Sequence, residues 1–135
     1  MYKNILIPLA SDHDPETDKA LTVARLLADE GAKITALTVM EAIPEYIVTQ
    51  LPEGQIEKNI HALEGGLHEA LGEANDVEVA VVSGHSGRTI LDWAEEHGVD
   101  CIVMASHRPD LSNYFLGSTA SRVVRHAQCA VHVLR

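Results

Sequence analysis

Apolar residues along this chain fall into two alternating spacings, and the alternation lays out a series of strands and helices. Residues 3–8 carry Ile5, Leu6 and Ile7 without a polar break, the pattern of a strand buried on both faces. Asp14, Pro15 and Glu16 then supply a capping carboxylate, a first-turn proline and an acidic first turn, so a helix is predicted from there. Ala20, Leu21, Val23, Ala24, Leu26 and Leu27 recur at helical spacing, and Gly31 stands where a left-handed cap would end the helix. Residues 33–39 read as a second strand. The stretch 41–55 holds Pro44, Pro52 and Gly54 with no clear period and is predicted to be a long surface loop.

The second half repeats the alternation. Ile56, Ile60, Leu63, Leu67 and Leu71 mark an amphipathic helix, in which Gly65 and Gly66 each cost about 1 kcal/mol against alanine. Residues 77–83 form a third strand. Ser86 is placed as the cap of a helix carrying Ile90, Leu91, Trp93 and Ala94 and closing at Gly98. Residues 101–105 give a fourth strand, 118–127 the last helix and 130–134 the last strand. Strands alternating with helices call for right-handed crossovers and hence a parallel sheet covered on both faces. The expectation is a single doubly wound α/β domain over residues 1–135, with strand order 3-2-1-4-5 and Trp93 packed between its helix and the sheet.

Composition narrows the class. The hydrophobic share of 46% suffices for a core, and the apolar runs fall well short of the roughly 20 residues that span a bilayer. With no secretory pattern at its start, the chain is expected in the cytoplasm. Twenty acidic against ten basic residues give a net charge of −10, which argues against a nucleic-acid partner. Cys101 and Cys129 stand in or beside apolar runs and are expected to be buried thiols, with no CxxC and no metal spacing around them. Eight histidines are present, but His61, His68, His97, His126 and His132 sit on helix faces, near helix ends or in a strand, and no metal site is assigned.

In a doubly wound sheet the ligand crevice lies beyond the carboxyl ends of the strands, where strand order reverses. That points to Leu9, Ala10 and Ser11 after the first strand, Met40 and Glu41 after the second, and the segment after Ala105. The last runs from Ser106 through His107 and Arg108 to Gly117, Ser118 and Thr119 at a helix start. A glycine permits close approach, and the free N–H groups of a first helical turn favour an anion. Spacing alone leaves open whether Gly117 and Ser118 bind phosphate or merely cap the helix. It also leaves open whether Arg108 pairs with phosphate or is a solvated loop arginine. Gly84-His85-Ser86-Gly87 reads as a helix cap between turn glycines.

The opening Lys3-Asn4-Ile5-Leu6-Ile7-Pro8, the loop after the fourth strand, and the run 123–131 together resemble the universal stress protein family over essentially the whole chain. Its ATP-binding members share a loop G-x2-G-x9-G-[S/T], of which only Gly117-Ser118 matches outright. The early glycines are replaced, and Ala10 stands where members usually have an aspartate. The form Ala-Ser-His-Arg-Pro-Asp is similar to a branch regarded as nucleotide-binding. The resemblance implies an adenine nucleotide α-hydrolase-like fold and a regulatory module of the stress response that binds ATP or AMP, with or without Mg²⁺. The site it implies comprises Pro8, Leu9, Ala10, Val39, Met104, Ser106, His107, Arg108, Gly117, Ser118 and Thr119. It further implies a homodimer through the C-terminal strand and a regulatory protein partner. The alternative is a nucleotide-free interaction protein of the same fold. With no Walker lysine and no paired carboxylates at the site, the chain is expected to be no enzyme, with slow ATP hydrolysis at most.

Overall fold

A computed structural model describes residues 1–9, 17–41, 43–71, 76–106 and 116–135 of the chain. Its centre is β1 (Tyr2–Leu9), where Ile5, Leu6 and Ile7 are completely buried, as expected of an unbroken aliphatic run with a helix layer on each side. The chain continues through α1 (Thr17–Leu27), β2 (Ala28–Met40), α2 (Glu45–Val48), α3 (Gln55–Leu71), β3 (Val77–Ser83), α4 (Ser86–Glu96), β4 (Cys101–Ala105), α5 (Ser118–His126) and β5 (Ala130–Leu134). The five strands pair in parallel in the order β3-β2-β1-β4-β5, as the alternation predicted.

Two cores flank the sheet. On one face Ile5, Ile7, Ile34, Ala36 and Val103 pack against Ala20, Leu21 and Ala24 of α1 and Leu71 of α3. On the other Leu6, Leu37, Ile102 and Met104 pack against Ile90 and Ala94 of α4 and Ala120 and Val123 of α5. Side chains alternate across each strand, which is why neighbours in sequence enter opposite cores. The amino ends of β1 and β4 are tied by Asp100, whose carboxylate accepts the backbone N–H groups of Lys3 (2.9 Å) and Asn4 (3.0 Å).

Several sequence expectations are corrected. The helical period of α1 extends through Leu26 and Leu27, but the helix stops at Leu27 and β2 begins at once at Ala28, five residues earlier than residue 33. Ala28 pairs with Tyr2 and Lys33 with Asn4, so β2 carries an irregularity there, and Gly31 with φ +77° sits inside it rather than capping a helix. The predicted loop 41–55 contains the single turn α2, entered through Pro44. Ser86 is the first residue of α4 and not its cap; His85 holds the cap position and no side chain caps the helix. Trp93 is only half-buried against the α4/α5 core and stacks on His97, ring centroids 3.8 Å apart. Cys129 is half-buried rather than buried. The predicted cap at residues 14–16 lies outside the described residues.

Candidate functional site

Strand order reverses between β1 and β4, and the helices that follow them, α1 and α5, cover opposite faces of the sheet. The carboxyl ends of β1 and β4 therefore bound a crevice. On its far side stands the N-terminus of α5, fixed by one short contact: the N–H of Gly117 donates to the carbonyl of Ser106 at 2.7 Å. That bond joins the two ends of the connection between β4 and α5. Ser106 is held in turn because its N–H donates to Leu134 of β5 at 2.8 Å and its residue is buried. Gly117 occupies the position before α5 with φ −59° and ψ 155°. Any residue adopts those angles, so a requirement for glycine here would come from close approach and not from backbone freedom.

The first turn of α5 leaves its N–H groups without helical acceptors, and the peptide dipoles make that end favourable to an anion. Ser118 is exposed and Thr119 half-buried. The Thr119 hydroxyl is engaged: its Oγ1 lies 3.0 Å from Oγ of Ser86 at the start of α4. The turn before α4 is itself pinned to the crevice rim, since the N–H of Gly84 donates to the carbonyl of Met40 at 2.8 Å. Gly84 has φ +152°, and a Cβ there would lie 2.4 Å from Thr89 Oγ1. Gly87 is buried, and a Cβ on it would lie 2.8 Å from Cδ of Arg122 on α5. The starts of α4 and α5 are thus packed together beside the sheet end.

The sequence-derived site residues divide accordingly. Val39 and Met104 border one core, the α4/α5 side, and strand alternation puts Pro8 on that side with Leu6. Leu9 packs on the opposite, α1/α3 side. Leu9 and Val39 are therefore not brought together by side chain, although both lie at strand ends. Met104 is only 4% exposed and forms floor rather than wall. Ala10, His107 and Arg108 lie outside the described residues, as do Tyr114 and Phe115. The reading of the residues missed Ser86 as a neighbour of Thr119; its signal was a hydroxyl two residues after the glycine that follows β3.

Perturbed titrations lie away from this crevice, near the amino ends of the strands. Hydrogen bonds from Arg25 to both carboxylate oxygens of Asp76 (2.9 and 3.0 Å) hold the Asp76 carboxyl below its ordinary range and raise the guanidinium. Burial pushes the Cys101 thiol up to about 11 and also raises Cys129. Among the described residues no cluster of three or more His, Cys, Asp or Glu side chains is placed to hold a metal, and no helix is long and apolar enough to cross a membrane.

Three comparisons bear on this arrangement. The family model described as the universal stress protein family matches residues 1–135. Universal stress protein G of Escherichia coli O157:H7 is 29% identical over 142 residues, covering all of both chains. Universal stress protein UspA from Lactobacillus plantarum superposes with a TM-score of 0.73 at 29% identity, over 99% of this chain and 98% of that one. A universal stress protein solved in complex with cAMP shares the fold, with a TM-score of 0.71 at 18% identity over 99% and 97% of the two chains.

Proposed function

The chain belongs to the universal stress protein family, and from that premise we propose that it is a regulatory module that binds an adenine nucleotide, ATP or AMP. The observation that carries this reading is the opening of α5 at the switch point, where Gly117, Ser118 and Thr119 stand beside the ends of β1 and β4. Uncompensated N–H groups and the helix dipole favour phosphate at that end. Pro8, Val39 and the edge of Met104 offer apolar contact on one side of the sheet end for the base. His107 and Arg108 follow Ser106 in the sequence, and Arg108 would supply a guanidinium for phosphate, with Mg²⁺ as a further counter-charge. A structure of this fold in complex with cAMP agrees with an adenine ligand. The role is binding and signalling through a protein partner in the cytoplasm, not turnover.

The test is direct. Purified protein, denatured and analysed by anion-exchange chromatography, should release an adenine nucleotide, and calorimetry should show heat with ATP or AMP. Gly117→Val should abolish nucleotide-dependent thermal stabilisation, and Arg108→Ala should weaken it by the roughly 1.5–3 kcal/mol of one charge-assisted hydrogen bond. Absence of heat with ATP, ADP and AMP at millimolar concentration removes the nucleotide. A specific departure supports a second reading: Ala10 brings no carboxylate to the end of β1 and the early glycines of the loop are replaced, as in a nucleotide-free interaction protein. That reading predicts no co-purifying nucleotide.

The same premise carries a homodimer through β5. Among the described residues this strand ends the sheet, so one row of its N–H and C=O groups meets no further strand there, and Val131 and Val133 lie on it half-buried. Light scattering should give twice the monomer mass at micromolar concentration, and Val133→Lys should lower it. A monomer unaffected by that change refutes the dimer.

A further inference from the structure

Ser86 and Thr119 come from different helices, and their hydroxyl oxygens lie 3.0 Å apart, with either able to donate. Ser86 does not cap its own helix, and among the described residues its hydroxyl meets Thr119 instead. We propose that Ser86 is a positioning residue for nucleotide binding: it orients the Thr119 hydroxyl toward the phosphate at the start of α5. The inference rests on the nucleotide reading given above.

Proton counting supplies the reason. A hydroxyl has one proton and two acceptor lone pairs. When Thr119 donates its proton to a phosphate oxygen, it has none left for Ser86 and must accept. Ser86 then becomes the donor, and the chain runs in one direction from Ser86 to Thr119 to phosphate. A hydroxyl that is accepting a hydrogen bond is a better donor, so the two bonds strengthen each other in the less polar surroundings of a half-buried site. Without ligand the pair is free to run either way. The scaffold keeps the distance short: the N–H of Gly84 donates to the carbonyl of Met40, and Gly87, having no side chain, lets α4 come so near α5 that a Cβ there would lie 2.8 Å from Cδ of Arg122.

The test uses ATP titrations into the full chain by calorimetry. Ser86→Ala should weaken ATP binding about three- to tenfold, the worth of one net hydrogen bond. Ser86→Thr, which restores the hydroxyl, should return most of the affinity. In a Thr119→Val background Ser86→Ala should cost nothing further, because the residue it orients is gone. Ser86→Pro guards against a folding artefact. Proline suits a first helical position, and His85 at φ −80° and ψ 124° already has the extended backbone that precedes a proline. It should lose ATP affinity as Ser86→Ala does while melting at the wild-type temperature without nucleotide. Wild-type affinity in Ser86→Ala, or losses that simply add with Thr119→Val, overturn the positioning role and leave nucleotide binding standing. A wild type that binds no ATP overturns both.

Discussion

Replacing Gly84 by alanine tests the geometry that joins α4 to the sheet end. Gly84 has φ +152°, a region that L residues avoid, and its N–H holds Met40 at 2.8 Å. Forcing a side chain into such a backbone state costs about 1–3 kcal/mol. The new Cβ would also come to 2.4 Å from Thr89 Oγ1, so the threonine must leave its rotamer, at about 0.5–1.5 kcal/mol. Alanine stiffens the unfolded chain and returns about 0.4–1 kcal/mol. The net expectation is a destabilisation of about 1–3 kcal/mol. Trp93, the single tryptophan, lies on α4 and reports unfolding in urea by its fluorescence. The midpoint should fall with an unchanged slope. In a Thr89→Ala background the steric part vanishes, and Gly84→Ala should cost about 0.5–1.5 kcal/mol less. A cost under about 0.5 kcal/mol would refute the strain. An equal cost in both backgrounds would refute the clash.

Further outcomes follow from burial and charge. Leu37 is completely buried under α4 and Leu26 is 79% exposed, so Leu37→Ala should cost about 2–5 kcal/mol in urea unfolding and Leu26→Ala under about 0.5. Asp76 is depressed chiefly by its hydrogen bonds from Arg25; its contribution is present above the ordinary value of 3.8 and lost as pH falls through the depressed folded value. Because both partners are about half exposed, Asp76→Asn should cost at most about 1 kcal/mol at neutral pH, less in high salt, and the difference from wild type should shrink toward zero in acid. Cys101, raised to about 11 by burial, contributes stability below 9.0 that is lost as pH rises toward 11, so Cys101→Val should flatten the alkaline fall in unfolding free energy. At pH 8 the native protein should react slowly with a disulfide reagent, Cys129 ahead of Cys101, and both should react fully in urea.

What could be read from the chain by itself were the elements whose character is local. Residues 77–83, 101–105 and 130–134 are short β-branched runs bounded by turn signals, and the structure gives β3, β4 and β5 those bounds. Ile5 to Ile7 announced a strand covered on both faces, and the alternation of strand and helix, with the handedness of crossovers, led to a five-stranded parallel sheet and a crevice beside β1 and β4. The resemblance added the family, which the whole-chain match supports. The remainder depends on partners distant in sequence. Leu26 and Leu27 keep the helical period, yet Ala28 goes into β2 because Tyr2 pairs with it across the sheet. Leu9 ends β1 and Val39 is the last residue but one of β2, yet strand pairing and alternation direct them to opposite cores. Ser86 looks like a cap from its neighbours alone. Only the packing of α4 on α5 brings its hydroxyl to Thr119, 33 residues on in the chain, because a hydroxyl pairs with whatever polar partner the tertiary fold places within reach, here at 3.0 Å.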